Sequence, residues 1–403
     1  MEVRTGYKQT EAGVIPEDWN AVFLRDFIAL QRGHDLTWRD RKDGDVPVMG
    51  SAGQNGFHNI AISKGPGVVL GRSGASFGQA HYCEQDFWPH NTALYVTDFR
   101  GNDPLFVFYF LRSLDFSRHN SGGAQQSLNR NFIARIKVGV PPPPEQLVIA
   151  EALRDVDRLL GGLDRLIAKK RDLKQAAMEQ ILNGHTRFPR FHSKWETRRL
   201  EDVIHLIPSG VYGEEKPRPG LIAASVATTA HINEDDTWNN REMPVRYFTA
   251  QKLIDYATAE GDLIVVKSSG SAASIQSGKI GFIDSKRAEK FVFSNFLMLL
   301  RPTNVFPRFL YFYLCSYNIK KLLPTLVEAS TYPNIRLGDY LALEIPLPST
   351  AEQTAIAEVL TEMDAELAAL EQRREKSRVL KQAMMQELLT GRTRLISPKE
   401  AHA

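Results

Sequence analysis

An α+β fold built as two matched halves is what this sequence predicts, and three observations carry the prediction. Residues 145–187 return at 352–394, a constant shift of 207 positions without a gap. Each copy follows a proline-rich stop and carries apolar residues at helical spacing. The stretches before the copies hold short β-branched and aromatic runs separated by Gly, Ser and Asn, the pattern of strands and turns. The expected architecture is two mixed, strand-rich domains related by pseudo-twofold symmetry. Two long antiparallel helices of coiled-coil character join them.

The repeat is close. Glu145-Gln146 recurs as Glu352-Gln353, Ile149-Ala150-Glu151 as Ile356-Ala357-Glu358, and Leu173-Lys174-Gln175-Ala176 as Leu380-Lys381-Gln382-Ala383. Gly184, Thr186 and Arg187 match Gly391, Thr393 and Arg394. These matches divide the chain into a first domain at 1–141, a central helix at 142–186, a second domain at 187–345, and a closing helix with its tail at 346–403.

The domains echo each other more faintly. Trp19 and Leu24 correspond to Trp195 and Leu200 at an offset of 176, VVLGRSG at 68–74 to IVVKSSG at 264–270, and FVFYFL at 106–111 to FLYFYL at 309–314. Asn129 is aligned with Asn334. The offset grows along the domain, so the second copy has gained loops while the frame is kept. One aromatic helix is expected near 104–114 and its counterpart near 307–321.

Prolines at 141–144, and Pro346 with Pro348, end each domain and aim the next helix, because proline fixes φ and cannot donate. Leu153, Val156, Leu160, Leu163 and Ile167 then form one stripe, and Leu360, Met363, Leu367 and Leu370 form the other. Neither stripe has a cover in its own sequence neighbourhood, so the simplest partner of one helix is the other. About 40 residues make a rod of roughly 60 Å. Gly184 and Gly391 stand where helices commonly stop. Gly161-Gly162 interrupts the first helix, where the second has Ala368-Ala369, and reads either as a hinge or as a close contact.

Composition narrows the function. The chain has 403 residues, 43% hydrophobic and 24% charged, the balance of an ordinary globular protein with room for two domains. A net charge of +3 requires any nucleic-acid surface to be local or shared with a more basic partner. No run of about 18 apolar residues exists to span a membrane. Residues 1–13 are polar rather than signal-like, and Cys83 and Cys315 form no disulfide framework, so a cytoplasmic location is expected.

Proline-led EQ openings (PPPPEQLVIAEAL and PLPSTAEQTAIAEVL), DxxL-type heptads, an LKQAxM segment and the endings LNGHTR and LLTGRTR occur together. With TEAGVIPEDW, VVLGRSGASFGQ and FWPHNTALYV, this chain resembles the specificity subunits of type I restriction-modification systems over nearly its whole length. The resemblance implies two target-recognition domains, each reading one half of a split double-stranded DNA target. It also implies helices that act as ruler and as docking site for two methyltransferase (modification) subunits, through which two restriction subunits can join where the host has them. The subunit itself is then not an enzyme and holds no cofactor or metal. Adenine methylation from S-adenosylmethionine belongs to the methyltransferase partner, and ATP and Mg belong to a restriction partner. No membrane is involved.

The geometry agrees independently, because half-sites on one face of DNA recur every ~34 Å and a rod tens of ångströms long can hold two readers apart. Inserting a helical turn, ~5.4 Å, should lengthen the unread gap without altering either half-sequence. Two other readings stay open: a coiled-coil scaffold, and a specificity subunit of a methylation-only or type II-like system.

Candidate DNA-contacting residues fall in four segments. Arg72, Ser73, Ser76 and Gln79 lie in a Gly/Ser loop after an apolar strand, where backbone N–H groups can approach phosphate and arginine can meet a guanine edge or a phosphate. The same loop also reads as a plain tight turn with a solvated arginine. Its counterpart supplies Lys267, Ser268, Ser269, Ser271 and Gln276, with lysine as a point charge. Gln125, Gln126, Asn129 and Arg130 precede the strand into the proline run, and amides suit adenine. Tyr332, Asn334 and Arg336 occupy the corresponding stretch. A polar loop at a domain edge explains any single one of these residues equally well.

Catalytic patterns fail on spacing. His81, Cys83 and His90 do not make a closed zinc pattern. Asp262 with Asp284 and Lys286 has nuclease residue types at permissive spacing only. There is no GxxxxGK[ST] loop, no Asn-Pro-Pro-aromatic or Asp-Pro-Pro-aromatic segment, and no glycine loop suited to S-adenosylmethionine, so the chemistry is expected on another chain.

Overall fold

The computed structural model describes residues 4–120, 126–271, 274–328 and 333–397. The chain divides into two compact units, Met1–Asp164 with Glu371–Ala403, and Arg165–Leu370. Each unit therefore combines one strand-rich domain with part of each long helix.

The two domains follow one plan. In the first, an antiparallel sheet has the strand order Ala29–Arg32, Ala93–Asp98, Gly67–Gly71, Ala80–Cys83. In the second, the order is Ile204–Ile207, Leu297–Pro302, Leu263–Val266, Ile280–Phe282. The strands Gly67–Gly71 and Leu263–Val266 are buried throughout, which explains their unbroken apolar character. A smaller sheet follows in each domain, pairing Val46–Gly50 with Gly53–His58 and in parallel with Trp88–Pro89, and Ile222–Ala227 with Val245–Phe248 and in parallel with Val292–Phe293. The strand entering each proline run closes on the start of its domain: Lys137–Val140 pairs with Asn20–Phe23, and Glu344–Leu347 with Glu196–Arg199.

The first aromatic helix, Pro104–Ser113, starts on Asp103, whose carboxylate accepts from the Phe106 N–H at 2.7 Å. Residues Phe106 to Leu111 are all buried, so this helix forms the centre of the first core. Its counterpart is shorter than expected. Pro307–Leu314 ends at Cys315, and extended backbone at Ser316 separates it from a second helix, Tyr317–Leu322.

Two 39-residue helices, Pro143–Ile181 and Thr350–Leu388, stand where the repeat places them. Gly184 and Gly391 terminate them with φ of 69° and 70°, values that favour glycine. Within the first unit the helices run antiparallel, with Lys381 Nζ 2.5 Å from Asp157 and Arg374 Nη1 3.2 Å from Asp164. Antiparallel pairing holds in the second unit too, where Lys170 lies 2.7 Å from Glu366 and Lys174 pairs with Asp364.

Helix pairing alone does not cover the stripes. Ile149, Ala150 and Leu153 enter the first core beside the aromatic helix, and Ile356, Ala357 and Leu360 enter the second. The domain that each proline run ends folds back and supplies the cover, which a search of the flanking sequence overlooks. The central helix also passes unbroken through Gly161-Gly162, and a Cβ at Gly162 would meet nothing within 4 Å, so no close contact requires that glycine.

Candidate nucleic-acid interface

The recurrent Glu-Gln pair anchors each helix. Glu145 is 0% exposed, and its carboxylate accepts from Trp19 Nε1 at 2.9 Å and from Arg394 Nε and Nη2 at 2.9 and 2.7 Å. Arg394 also donates to Asp18 at 2.7 and 2.8 Å. Burial alone would depress the Arg394 guanidinium, but its bonds to Glu145 and Asp18 raise it above its ordinary value. Glu352, 1% exposed, repeats the arrangement with Trp195 at 3.1 Å and Arg187 at 2.9 and 2.7 Å. Gln146 accepts from the Asp103 N–H at 3.0 Å, and Gln353 from the Phe306 N–H at 2.7 Å, tying each helix to the start of its aromatic helix.

On this frame the loop after Gly67–Gly71 turns back sharply. A Cβ at Gly71 would lie 2.0 Å from the Ser76 carbonyl oxygen, so the turn needs a glycine. Arg72 is fixed on both sides, its N–H donating to Thr92 O at 3.0 Å and its carbonyl accepting from Leu128 N at 2.8 Å. Ser73 bridges Ser127. Among the described residues the Arg72 guanidinium makes only a long 3.5 Å contact with Asn91 O, and that of Arg130 a 3.4 Å contact with Leu30 O. Arg72, Asn129 and Arg130 line one open cleft of about 670 Å³ together with Gln31, Arg32 and His34. Asn129 is also a helix cap, its Oδ1 accepting from the Asn131 N–H at 2.9 Å.

The second unit repeats the backbone with other side chains. Lys267 N donates to Phe296 O at 2.9 Å, its carbonyl accepts from Ile335 N at 2.9 Å, and Ser268 bridges Asn334. Its Nζ donates to Pro208 O at 3.2 Å. This bonding makes Ser127 the counterpart of Asn334, and Asn129 the counterpart of Arg336. The sequence alignment of Asn129 with Asn334 is therefore corrected by two residues. Both Asn129 and Arg336 stand at the start of a short helix, Arg130–Ile133 and Leu337–Leu341. Arg336 is already engaged, 3.1 Å from Asp339 and bonded to Thr325 O.

The structure separates the other candidates. Gln79 and Gln126 line a different cavity, of about 1380 Å³, with Gln54, His81 and Arg112. Burial holds the His81 imidazole below its ordinary value, and its Nε2 bonds Ser51 O at 3.0 Å. Ser73 and Ser76 belong to the turn itself. Gln276 lines a small cavity with Lys279 and Lys320, and its N–H donates to Ser269 O at 3.2 Å. Ser271 contributes the backbone of the short strand Gly270–Ser271. Gln125 and Tyr332 lie outside the described residues.

Sequence reasoning missed Gln31, Arg32 and His34. The signal was Gly33, which matches Gly210: added Cβ atoms would lie 2.2 Å from His90 O and 2.0 Å from Phe293 O, and the N–H groups bond equivalent strands, at Ala93 O and Leu297 O. The residues weighed for catalysis have structural partners. Asp262 is held by Arg301 at 2.7 and 2.9 Å, Asp284 by Arg287 at 2.8 Å, and His90 by Thr92 at 3.0 Å. Among the described residues no group of three His, Cys, Asp or Glu could hold a metal, and no helix is long and apolar enough to cross a membrane.

Two α+β units of one plan, each anchored to a repeated helix and each bearing polar and cationic side chains on the equivalent loops, define a duplicated protein. The family model for the type I restriction modification DNA specificity domain matches residues 16–168 and again 192–380. The chain belongs to that family and carries its domain twice. It is 23% identical over 421 residues to the type I restriction enzyme MjaVIII specificity subunit of Methanocaldococcus jannaschii, covering 96% of each chain. It is also 23% identical over 433 residues to the putative MjaX specificity subunit of the same organism, covering 96% of this chain and 97% of the other. The solved S subunit of a type I restriction-modification system from M. genitalium superposes with a TM-score of 0.62 at 15% identity, covering 96% of this chain and 98% of that one.

Proposed function

We propose that this chain is the DNA-reading subunit of a type I restriction-modification complex, with one half of a split target read by each unit. One observation carries the reading: equivalent backbone positions bear different recognition chemistry. Gln31, Arg32, Arg72 and Asn129 in the first unit stand where Pro208, Ser209, Lys267 and Arg336 stand in the second. Arginine and amides match base edges in two-point contacts, whereas lysine is a point charge suited to phosphate. Two readers of one sequence would have no reason to diverge at these positions and keep the frame.

The helices serve as ruler and platform. Leu147 and Leu159 in the first unit, and Leu166 and Leu173 in the second, remain exposed on the central helix and suit the docking of methyltransferase subunits. S-adenosylmethionine and the methyl transfer then belong to those partners, and ATP with Mg to restriction subunits where a host has them. The test is to sequence methylated bases in a genome with and without this gene. A two-part motif with an unread gap supports the reading, and a continuous motif or no gene-dependent methylation overturns it.

A further inference from the structure

Trp38 is 78% exposed, more than any other large hydrophobic side chain of the described residues. The other four tryptophans each donate their indole N–H: Trp19 to Glu145, Trp195 to Glu352, Trp88 to His34 O at 3.4 Å and Trp238 to Phe282 O at 2.8 Å. Among the described residues the Trp38 N–H has no acceptor. A tryptophan on a surface normally buries its ring and keeps only its polar tip wet. Trp38 does neither.

The exposure is built. The Asp40 N–H donates to Thr37 O at 3.1 Å, and Thr37 Oγ1 to Asp40 Oδ2 at 2.6 Å, so Trp38 and Arg39 take the two central positions of a closed turn. Buried Leu36 anchors the turn on one side. On the other, Arg41 donates to Asn55 O at 2.6 Å and the Lys42 N–H to His58 Nδ1 at 3.1 Å. Arg39 lies 5.3 Å from the Trp38 ring centre. Of the acids in this stretch, Asp35 is engaged by Arg32 and Asn91, and Asp40 by Thr37, while Asp43 and Asp45 lead away into the next strand. Five and four residues before Trp38, Gly33 and His34 line the cleft of Arg72 and Arg130.

We propose that Trp38 is a DNA-contacting residue of the first unit. Its ring packs on a base or sugar beside the half-site read by that cleft, and Arg39 faces a neighbouring phosphate. This rests on the DNA-reading function proposed above. A rigid turn presenting an aromatic ring costs little ordering entropy on binding, and in a duplex the groove edges, the thymine methyl among them, and the sugars offer it apolar surface.

The experiment uses the full chain, purified with the subunits that assemble on it, and a duplex carrying the methylated motif, with a duplex scrambled in both halves as control. Trp38→Ala should weaken motif binding about tenfold, the scale of one lost contact to a base edge in a duplex, and leave the slope of affinity against salt unchanged, because no phosphate contact is lost. Trp38→Phe should retain binding within about threefold and abolish a DNA-induced quenching of tryptophan emission seen in the wild type. Wild-type affinity from Trp38→Ala, or equal quenching in Trp38→Phe, overturns the proposal. So does loss of co-purifying subunits without loss of DNA affinity, which would make Trp38 a protein contact. Failure of the wild type to prefer the motif over the control sinks the underlying reading instead, so the two failures are distinguishable.

Discussion

Arg72 has its backbone bonded on both sides and its guanidinium nearly free, the arrangement expected of a side chain kept for a ligand. Its replacement by alanine should cost about 1 to 3 kcal/mol of binding if it reads a base, with relaxed preference at one position of one half-site. Competition binding against duplexes varied at that half-site measures both effects, and uniform weakening across sequences would make Arg72 a phosphate contact. Arg394 answers to stability. Arg394→Ala leaves the buried Glu145 carboxylate with only the Trp19 N–H, and breaking such a pair costs about 3 to 5 kcal/mol. Denaturant unfolding should show that loss, and a change below 1 kcal/mol would contradict the role assigned to the anchor. At this scale the sequence was partly legible. Arg72 and Lys267 stand out in the sequence as loop residues, because a glycine-rich loop after a buried strand is a local signal. The partnership of Glu145 with Arg394 spans 249 positions, and only the recurrence of both residues hinted at it. Asn129 was misaligned by two positions because asparagine was matched to asparagine, whereas the backbone bonds of its loop put Arg336 in its place.

The long helices were the most legible elements, since proline stops, stripe and terminal glycine agree across two copies. Their cover was not legible, because the aromatic helices that bury Leu153 and Leu360 lie some 40 positions or more upstream in the chain. The aromatic helix of the second domain is shorter than its sequence suggests. Tyr317 to Leu322 continues a helical composition, and only extended backbone at Ser316 breaks it. Gly162 gives the element-scale prediction. It sits inside a continuous helix with open space where a Cβ would project, so Gly162→Ala should stabilise the protein by about 1 kcal/mol in thermal or denaturant unfolding. A destabilised variant would show that the position needs its glycine for bending or contact.

At the scale of the whole molecule, duplication with divergence ties sequence to function. The elements that recur nearly unchanged are those that hold a helix to a domain, with the Trp-Glu-Arg anchor in each unit as their centre. Those that differ line the cleft of the first unit and the equivalent loop positions of the second. A chain arranged in this way can change one specificity while keeping its assembly, provided the anchor residues Asp18 and Trp19 travel with the exchanged domain. The fold class followed from the repeat, the helical stripes and the strand-like runs together, but the cleft of the first unit did not, because it joins three segments that lie far apart in the chain and meet only through the sheet order.

The most direct measurement is the methylated-base map of cells carrying a chimera in which residues 1–141 are replaced by the equivalent domain of a relative. One half of the split motif should change, with the other half and the gap preserved. A change in both halves, or in the gap alone, would contradict independent reading by the two units.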